Sequence, residues 1–180
     1  MGWTNMATET DEETEIVTQP VSVPEQEARK QVTEGITARV KNLVYDKDVL
    51  RTERRYKPYF AFDVVMTKRV FRGEDKVTEG SIIVDALSGI SRPFTTDAIE
   101  TEHRTVSAAS VLPVEVDESE AVVEANSRRM QVEHRERGRV EMDEDAHMVH
   151  KPVWLVELAD ESVKVVDAVD GRVYGDMLLG

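Results

Sequence analysis

Apolar residues recur at helical and strand-like intervals along the chain, and these intervals predict its elements. Downstream of Pro24 they fall at the spacing of a helix that buries one side. The positions of this stripe are Ala28, Val32, Ile36, Val40 and Leu43. A less regular second helix is predicted from Ala121 through Ala125 toward Val132.

Two segments alternate apolar and polar residues, as a half-buried strand requires. In the first, the apolar positions are Phe60, Phe62 and Val64; in the second they are Trp154, Val156 and Leu158. A Lys-Pro dipeptide precedes each segment, at 57–58 and 151–152. Because a missing amide donor costs little at the first residue of a strand, each strand is predicted to begin there.

Three short blocks occur twice in the same order. The matched pairs are Pro20–Ala28 with Pro113–Ala121, Lys57–Val64 with Lys151–Leu158, and Val84–Gly89 with Val166–Gly171. The first pair is identical at six of nine positions. An ordered triple of this kind predicts a tandem duplication of one α+β unit. The first copy is longer between its second and third blocks, which predicts a surface loop over 67–80.

The order of these blocks resembles the PepSY domain. The resemblance is carried by Val-x-Val-x-Glu-x-x-Ala at 21–28, by the aromatic strand, and by Val-Asp-Ala-x-x-Gly at 84–89 and 166–171. It implies a PepSY/cystatin-like α+β fold, in which each copy packs one helix on a curved antiparallel sheet. It also implies binding or regulation, with protease inhibition and attachment to membrane or cell-envelope proteins as the family's associations. The family brings no catalytic residue and no cofactor.

The repeat and the composition divide the chain into four predicted segments. These are a flexible acidic tail at 1–16, a first PepSY-like unit at 17–95, a connector at 96–109 and a second unit at 110–180. The tail holds acidic residues without a balancing base, so burial cannot offset the entropy of ordering it. Met6 is an alternative to Met1 as the start.

Charge and composition limit the partners. The chain has 36 acidic and 23 basic residues, a net charge of −13, and more arginine than lysine. This balance is typical of proteins from salt-loving archaea, with an ordinary acidic protein as the alternative, and its field disfavours nucleic acid. The chain has no cysteine and no apolar run long enough to cross a bilayer, so a cytoplasmic protein without a membrane span is expected.

Candidate binding residues lie where basic and aromatic side chains concentrate. They are Arg54, Arg55, Tyr56, Tyr59, Arg128 and Arg129. They could face another protein or a nucleic-acid backbone, or they could form internal ion pairs and core. The loop at 67–80 is a further candidate surface, and a homo-oligomer stays open.

One pair of histidines is a candidate for metal chemistry. His147 and His150 lie three residues apart, just after an acidic stretch at 141–145, and this combination of ligands suits a divalent ion. The competing interpretation is a solvated acidic loop. No nucleophile–base pair, phosphate loop or dinucleotide motif is visible.

The sequence therefore predicts a non-catalytic protein-binding, assembly or regulatory module that needs no cofactor. The first alternative is a metal-dependent enzyme that uses His147 and His150. The second is a nucleic-acid-associated accessory protein that uses the arginine clusters.

Overall fold

The computed structural model describes residues 12–37 and 49–174, which form an eight-stranded sheet and two α-helices. The strands are β1 (Glu13–Thr18), β2 (Val49–Lys68), β3 (Lys76–Asp85), β4 (Glu102–Ser107), β5 (Arg139–Met142), β6 (His147–Leu158), β7 (Val163–Asp167) and β8 (Val173–Tyr174). The helices are α1 (Glu25–Thr37) and α2 (Glu118–Glu136), and a 3-10 turn spans Ala108–Ser110. The mixed helix and strand content agrees with the predicted α+β class.

The centre of the sheet is the antiparallel pair β2 and β6, in which Lys57 lies directly opposite Lys151. On its other edge β2 pairs with β3, and β6 pairs with β7, which in turn pairs with β8. A short β5 continues along β2 beyond the start of β6. The sheet is mixed and not purely antiparallel, because β1 lies parallel to β6 where Thr18 is opposite His150. Along its length, β1 pairs antiparallel with β4.

The two helices cover the same face of the central strands, each over its own apolar cluster. The α2 cluster contains Ala121, Ala125 and Val132 packed against Phe60, Phe62, Val64, Ile82 and Val84. The α1 cluster contains Ala28 and Val32 packed against Trp154, Val156, Leu158 and Val166. The helical stripes and the alternating strand residues predicted to be buried are confirmed, except that Ile36, Val40 and Leu43 lie outside the positions whose burial is described.

Each helix packs on strands from the other half of the chain. The cluster under α1 is built on β6 and β7, and the cluster under α2 is built on β2 and β3. The expectation that each helix would cover the strands of its own unit is therefore wrong. The apolar stripe of a helix dictates that one side is buried, but it does not dictate which sheet buries it.

Backbone contacts at the exchange match in the two halves. Ahead of α1, the amides of Ser22 and Val23 both donate to the carbonyl of Ala168, at 2.9 Å. Ahead of α2, the amides of Glu115 and Val116 donate to the carbonyl of Ala86, at 2.9 and 3.0 Å. These hydrogen bonds fix both helix entries to the far hairpin.

Two predicted segment boundaries are corrected by the strands. Residues 13–16 of the predicted tail belong to β1, where Ile16 is buried beside Tyr56 and Val106. The predicted connector at 96–109 contains β4, the strand that pairs with β1. Pairing supplies the backbone hydrogen bonds that an isolated acidic segment would lack.

The Lys-Pro dipeptides lie inside strands and do not begin them. β2 starts at Val49, and Pro58 sits opposite His150 in the β2–β6 ladder. A proline is tolerated there because β3 ends at Asp85, opposite Tyr59, so none of the described strands needs an amide from Pro58. The carbonyl of Pro58 still accepts the amide of Ala86, at 3.2 Å.

The predicted loop at 67–80 is largely strand. β2 and β3 pair as far as Lys68 and Lys76, so only a short tip separates them. One face of this outer hairpin, including Val64 and Met66, is buried in the α2 cluster. On the opposite face, Val65 and Val77 are exposed.

Candidate functional site

Two buried lysine–aspartate pairs lie side by side at the centre of the sheet. Lys57 Nζ is 2.6 Å from Asp85 Oδ2, and Lys151 Nζ contacts Asp167 Oδ2 in the same way. All four side chains are nearly excluded from solvent. Because a buried charge is costly without a partner, these pairs are balanced within the fold and are not free to bind a ligand.

Each aspartate also closes the turn that follows its strand. Asp85 Oδ1 accepts the amide of Leu87 at 2.9 Å, and Asp167 Oδ1 accepts the amide of Val169 at 2.9 Å. The glycines that end the turns, Gly89 and Gly171, have φ of 70° and 76°. This left-handed backbone favours glycine, so the Asp-Ala-x-x-Gly motif has a structural role here.

Tyr59, a candidate binding residue, is buried beside these pairs. Its hydroxyl accepts a hydrogen bond from Arg92 at 2.7 Å, and the Arg92 guanidinium lies 4.7 Å from the ring centre. Burial raises the pKa of Tyr59 well above its usual value, and Arg92 partly opposes that rise. The ring therefore belongs to the interior and not to a binding platform.

The other candidates in the first half also make internal contacts. Arg54 lies over the rings of Tyr56 and Trp154, at 5.7 and 5.6 Å from their centres. Arg55 pairs with Glu53 at 2.7 Å and donates to the carbonyl of Ala109. Tyr56 itself is buried.

The arginines of α2 fasten this helix to its surroundings. Arg128 Nε donates to Ser91 Oγ at 2.9 Å. Arg129 pairs with Glu133 at 3.3 Å and donates to the carbonyl of Val140 at 3.2 Å. These contacts agree with the internal-pairing interpretation of the arginine clusters.

The two histidines are not brought together. Residues three apart on a strand point to opposite faces. His147 is exposed, with Nε2 3.4 Å from Asp63 Oδ2, whereas His150 is buried with Nδ1 3.1 Å from the carbonyl oxygen of Val17. Among residues 12–37 and 49–174, no group of three or more histidine and acidic side chains is arranged to hold a metal.

A groove of about 580 Å³ opens on the face of β2 and β6 that the helices leave free. It lies between the base of the β2–β3 hairpin, the start of β6 and the segment that leads into β4. Its apolar lining includes Val17, Ala61, Ile99 and Val149. Its acidic lining includes Asp63, Glu79 and Asp97, and His147 also lines it. The groove therefore combines an apolar floor with acidic walls.

The end of the β2–β3 hairpin is the second exposed feature. Phe71, at the tip, is 94% exposed, and Val70 and Val77 are 49% and 60% exposed. Arg72 lies 5.7 Å from the centre of the Phe71 ring. Lys68 Nζ, at the base of the tip, is 2.6 Å from Glu136 Oε2, so the end of α2 holds the hairpin in place.

Sequence reasoning missed the groove and the lysine–aspartate pairs. The pairs had a signal, since Lys-Pro and Val-Asp-Ala recur together in both halves. The groove had none, because its carboxylates come from separate segments of a chain rich in acidic residues.

None of the described helices is long and apolar enough to cross a membrane. Comparison of the chain with protein-family models, curated proteins and solved structures gives no match, so the PepSY resemblance rests on its three motifs.

Proposed function

We propose that the chain is a non-catalytic protein-binding module and that the end of the β2–β3 hairpin is its binding surface. The observation that carries this proposal is the exposure of Phe71 at the tip of a braced hairpin. A large aromatic side chain exposed to solvent has apolar surface that a partner protein can bury. Aromatic residues of this kind dominate the energy of many protein interfaces.

The arginine clusters are a weaker candidate for the binding surface. The arginine clusters, which could have faced a partner or a nucleic-acid backbone, make hydrogen bonds and ion pairs within the fold at Arg55, Arg128 and Arg129. At the hairpin tip, by contrast, Arg69, Arg72 and Lys76 are exposed.

The tip is a locally basic patch on an acidic protein. Lys68 is paired with Glu136, and residues 69–76 beyond it contain three basic and two acidic side chains, whereas the whole chain carries −13. The partner that fits is a protein surface with an apolar pocket bordered by acidic groups, because opposite potentials across an interface favour the encounter.

We also infer that the chain is a tandem duplication of a PepSY-like unit, as its motifs indicate. The lysine–aspartate pair, the capped turn and the paired amides ahead of each helix recur in both halves. On this interpretation the longer β2–β3 hairpin is the specialised part, and the rest of the duplicated fold holds it rigid.

A photo-crosslinking amino acid at position 71 tests the proposed surface in cell extract. The matched control carries the same group at Val123, an apolar residue of α2 that is 71% exposed. We expect a discrete crosslinked protein from position 71 and none from position 123. With the purified partner, Phe71→Ser should weaken binding at least about tenfold, whereas Val123→Ser should leave it unchanged.

Equal crosslinking from both positions would contradict the hairpin as the surface. So would wild-type affinity in Phe71→Ser, provided that thermal melting shows an intact fold.

A further inference from the structure

We infer that the hairpin tip of one molecule docks in the acidic groove of a second copy of this chain, an inference that rests on the proposed role of the tip. The two surfaces have complementary chemistry. The tip presents Phe71 among basic side chains, and the groove presents an apolar floor between acidic walls.

The groove has the size and lining for an inserted aromatic side chain. Its volume of about 580 Å³ falls within the range of pockets that bury small ligands. Val17, Ile99 and Val149 supply apolar contacts for a ring. Asp63 and Asp97 stand at its walls, where they can meet cations that flank the inserted side chain.

The tip supplies those cations on both sides of its aromatic ring. Arg69 and Arg72 flank Phe71 on the ascending part of the tip, and Lys76 begins the returning strand. Arg72 already lies near the Phe71 ring. If the Phe71 ring inserts into the groove, Arg72 would therefore lie at the rim of the groove.

The occupant must come from another molecule. Asp63 and Glu79, which line the groove, belong to the base of the same hairpin that carries the tip. At about 3.3 Å per strand residue, Lys68 is roughly 17 Å from Asp63, and paired strands do not fold back on themselves over that length. The tip and the groove of one molecule thus cannot engage each other.

The contact is expected to be weak and to need salt. A hairpin tip buries less surface than a standard protein interface, which favours transient association. Two copies with −13 each repel one another in dilute buffer, and roughly 1 M salt shortens the range of that repulsion to about 3 Å. Molar salt would also screen the contacts between the tip's cations and the groove's carboxylates, so association should be strongest near 0.15 M KCl, where the range of the repulsion is about 8 Å and these short contacts persist.

Sedimentation of the full chain in about 0.15 M KCl, over a wide concentration range, tests the inference. Two variants each remove one half of the contact: Phe71→Ser damages the tip, and Asp63→Lys with Asp97→Lys reverses the groove walls. Both lie at exposed positions, and Val123→Ser is the control for loss of an exposed apolar side chain. Thermal melting checks that every variant is folded.

We expect wild type and Val123→Ser to associate as concentration rises, and each contact variant alone to require at least about tenfold more protein. An equimolar mixture of the two variants should restore association, because one molecule keeps an intact groove and the other an intact tip. That mixture should stop at a one-to-one dimer, because each of its molecules keeps only one intact half of the contact.

A wild type that stays monomeric at all concentrations would overturn the inference, and so would a mixture of the variants that fails to associate. The proposed function is judged separately, by crosslinking from position 71 to a different protein. Self-association that survives Phe71→Ser would also place the contact elsewhere.

Discussion

Lys57 and Lys151 lie directly opposite each other in the central ladder, and each reaches the aspartate at the end of its own hairpin. Two lysines directly opposite each other on neighbouring strands would repel one another if either lost its aspartate. Together with Asp85 and Asp167 they form a neutral group of four buried charges. The stability of the whole sheet thus depends on both pairs.

Loss of one carboxylate should be strongly destabilising. Asp167→Asn keeps an oxygen that can accept the amide of Val169, but it leaves Lys151 buried without a counter-charge. We expect a loss of about 3–5 kcal/mol in the free energy of unfolding, measured by urea denaturation.

Two further variants show whether charge is the cause. In Lys151→Met with Asp167→Asn the unpaired charge is gone, and most of the lost stability should return. Asp170→Asn, beside the exposed Arg172, should cost less than about 1 kcal/mol. A double variant as unstable as Asp167→Asn alone would contradict the charge argument.

Gly80→Ala should disturb the wall of the groove. A β-carbon at Gly80 would lie 2.3 Å from the carbonyl oxygen of Thr95 and 2.6 Å from the ring of Phe94. Backbone must move to relieve this contact, at a cost of about 1–3 kcal/mol by analogy with overpacked cores. Gly73→Ala is the control, since its nearest neighbour, Val70, is 3.8 Å away. Equal melting temperatures for Gly80→Ala and Gly73→Ala would contradict the close packing of Gly80 against Thr95 and Phe94.

His150 should make stability fall in mild acid. Burial lowers the pKa of His150 below its usual 6.5, although a hydrogen bond to the carbonyl of Val17 opposes the shift. The unfolded chain therefore binds this proton first. The stabilisation is complete above about pH 6.5 and is lost as pH falls through the lower pKa of the folded state.

The check is a comparison of unfolding free energies between about pH 7.5 and 5.5. His150→Gln should show a smaller decrease than wild type, because glutamine does not titrate. Parallel pH profiles would assign the acid sensitivity to other groups.

Salt should raise the melting temperature. Exposed carboxylates repel one another, and the Debye length falls from about 10 Å at 0.1 M to about 3 Å at 1 M. We expect the melting temperature to increase steadily over that range of KCl. A flat or falling profile would remove the case for adaptation to high salt.

Burial along single elements could be predicted from the sequence. Val32, Phe62 and Val156 are buried as their spacing predicts, because an amphipathic period reports directly that one side of an element faces a core. Which core it faces depends on the tertiary fold. The spacing of apolar residues in α1 and α2 therefore could not predict that each helix packs on strands of the other half of the chain.

The β1 strand and the groove escaped prediction for different reasons. Around Ile16 the acidic composition concealed a short strand, whose main partner, β4, comes from residues 102–107. In the groove, Asp63, Glu79 and Asp97 are separated by long stretches of chain and resemble many other surface carboxylates. Their proximity is created by the pairing of β2 with β3, in which Asp63 lies opposite Ser81 and Glu79 opposite Val65, and by the path of the segment before β4.

The crossed placement of the helices makes the two halves of the chain mutually dependent. If the chain were cut in the exposed segment at 96–101, each fragment would keep a helix with no sheet to cover and a hairpin with no helix above it. The fragments could complete their cores only in each other, so the peptide link acts as a tether that raises their effective concentration. If the halves arose by the duplication that we propose, a lone copy of the unit would have had to pair with an identical copy, and any change in its hairpin would have appeared twice. On that proposal, fusion into one chain removes the symmetry, and the β2–β3 hairpin can lengthen while the β6–β7 hairpin stays short.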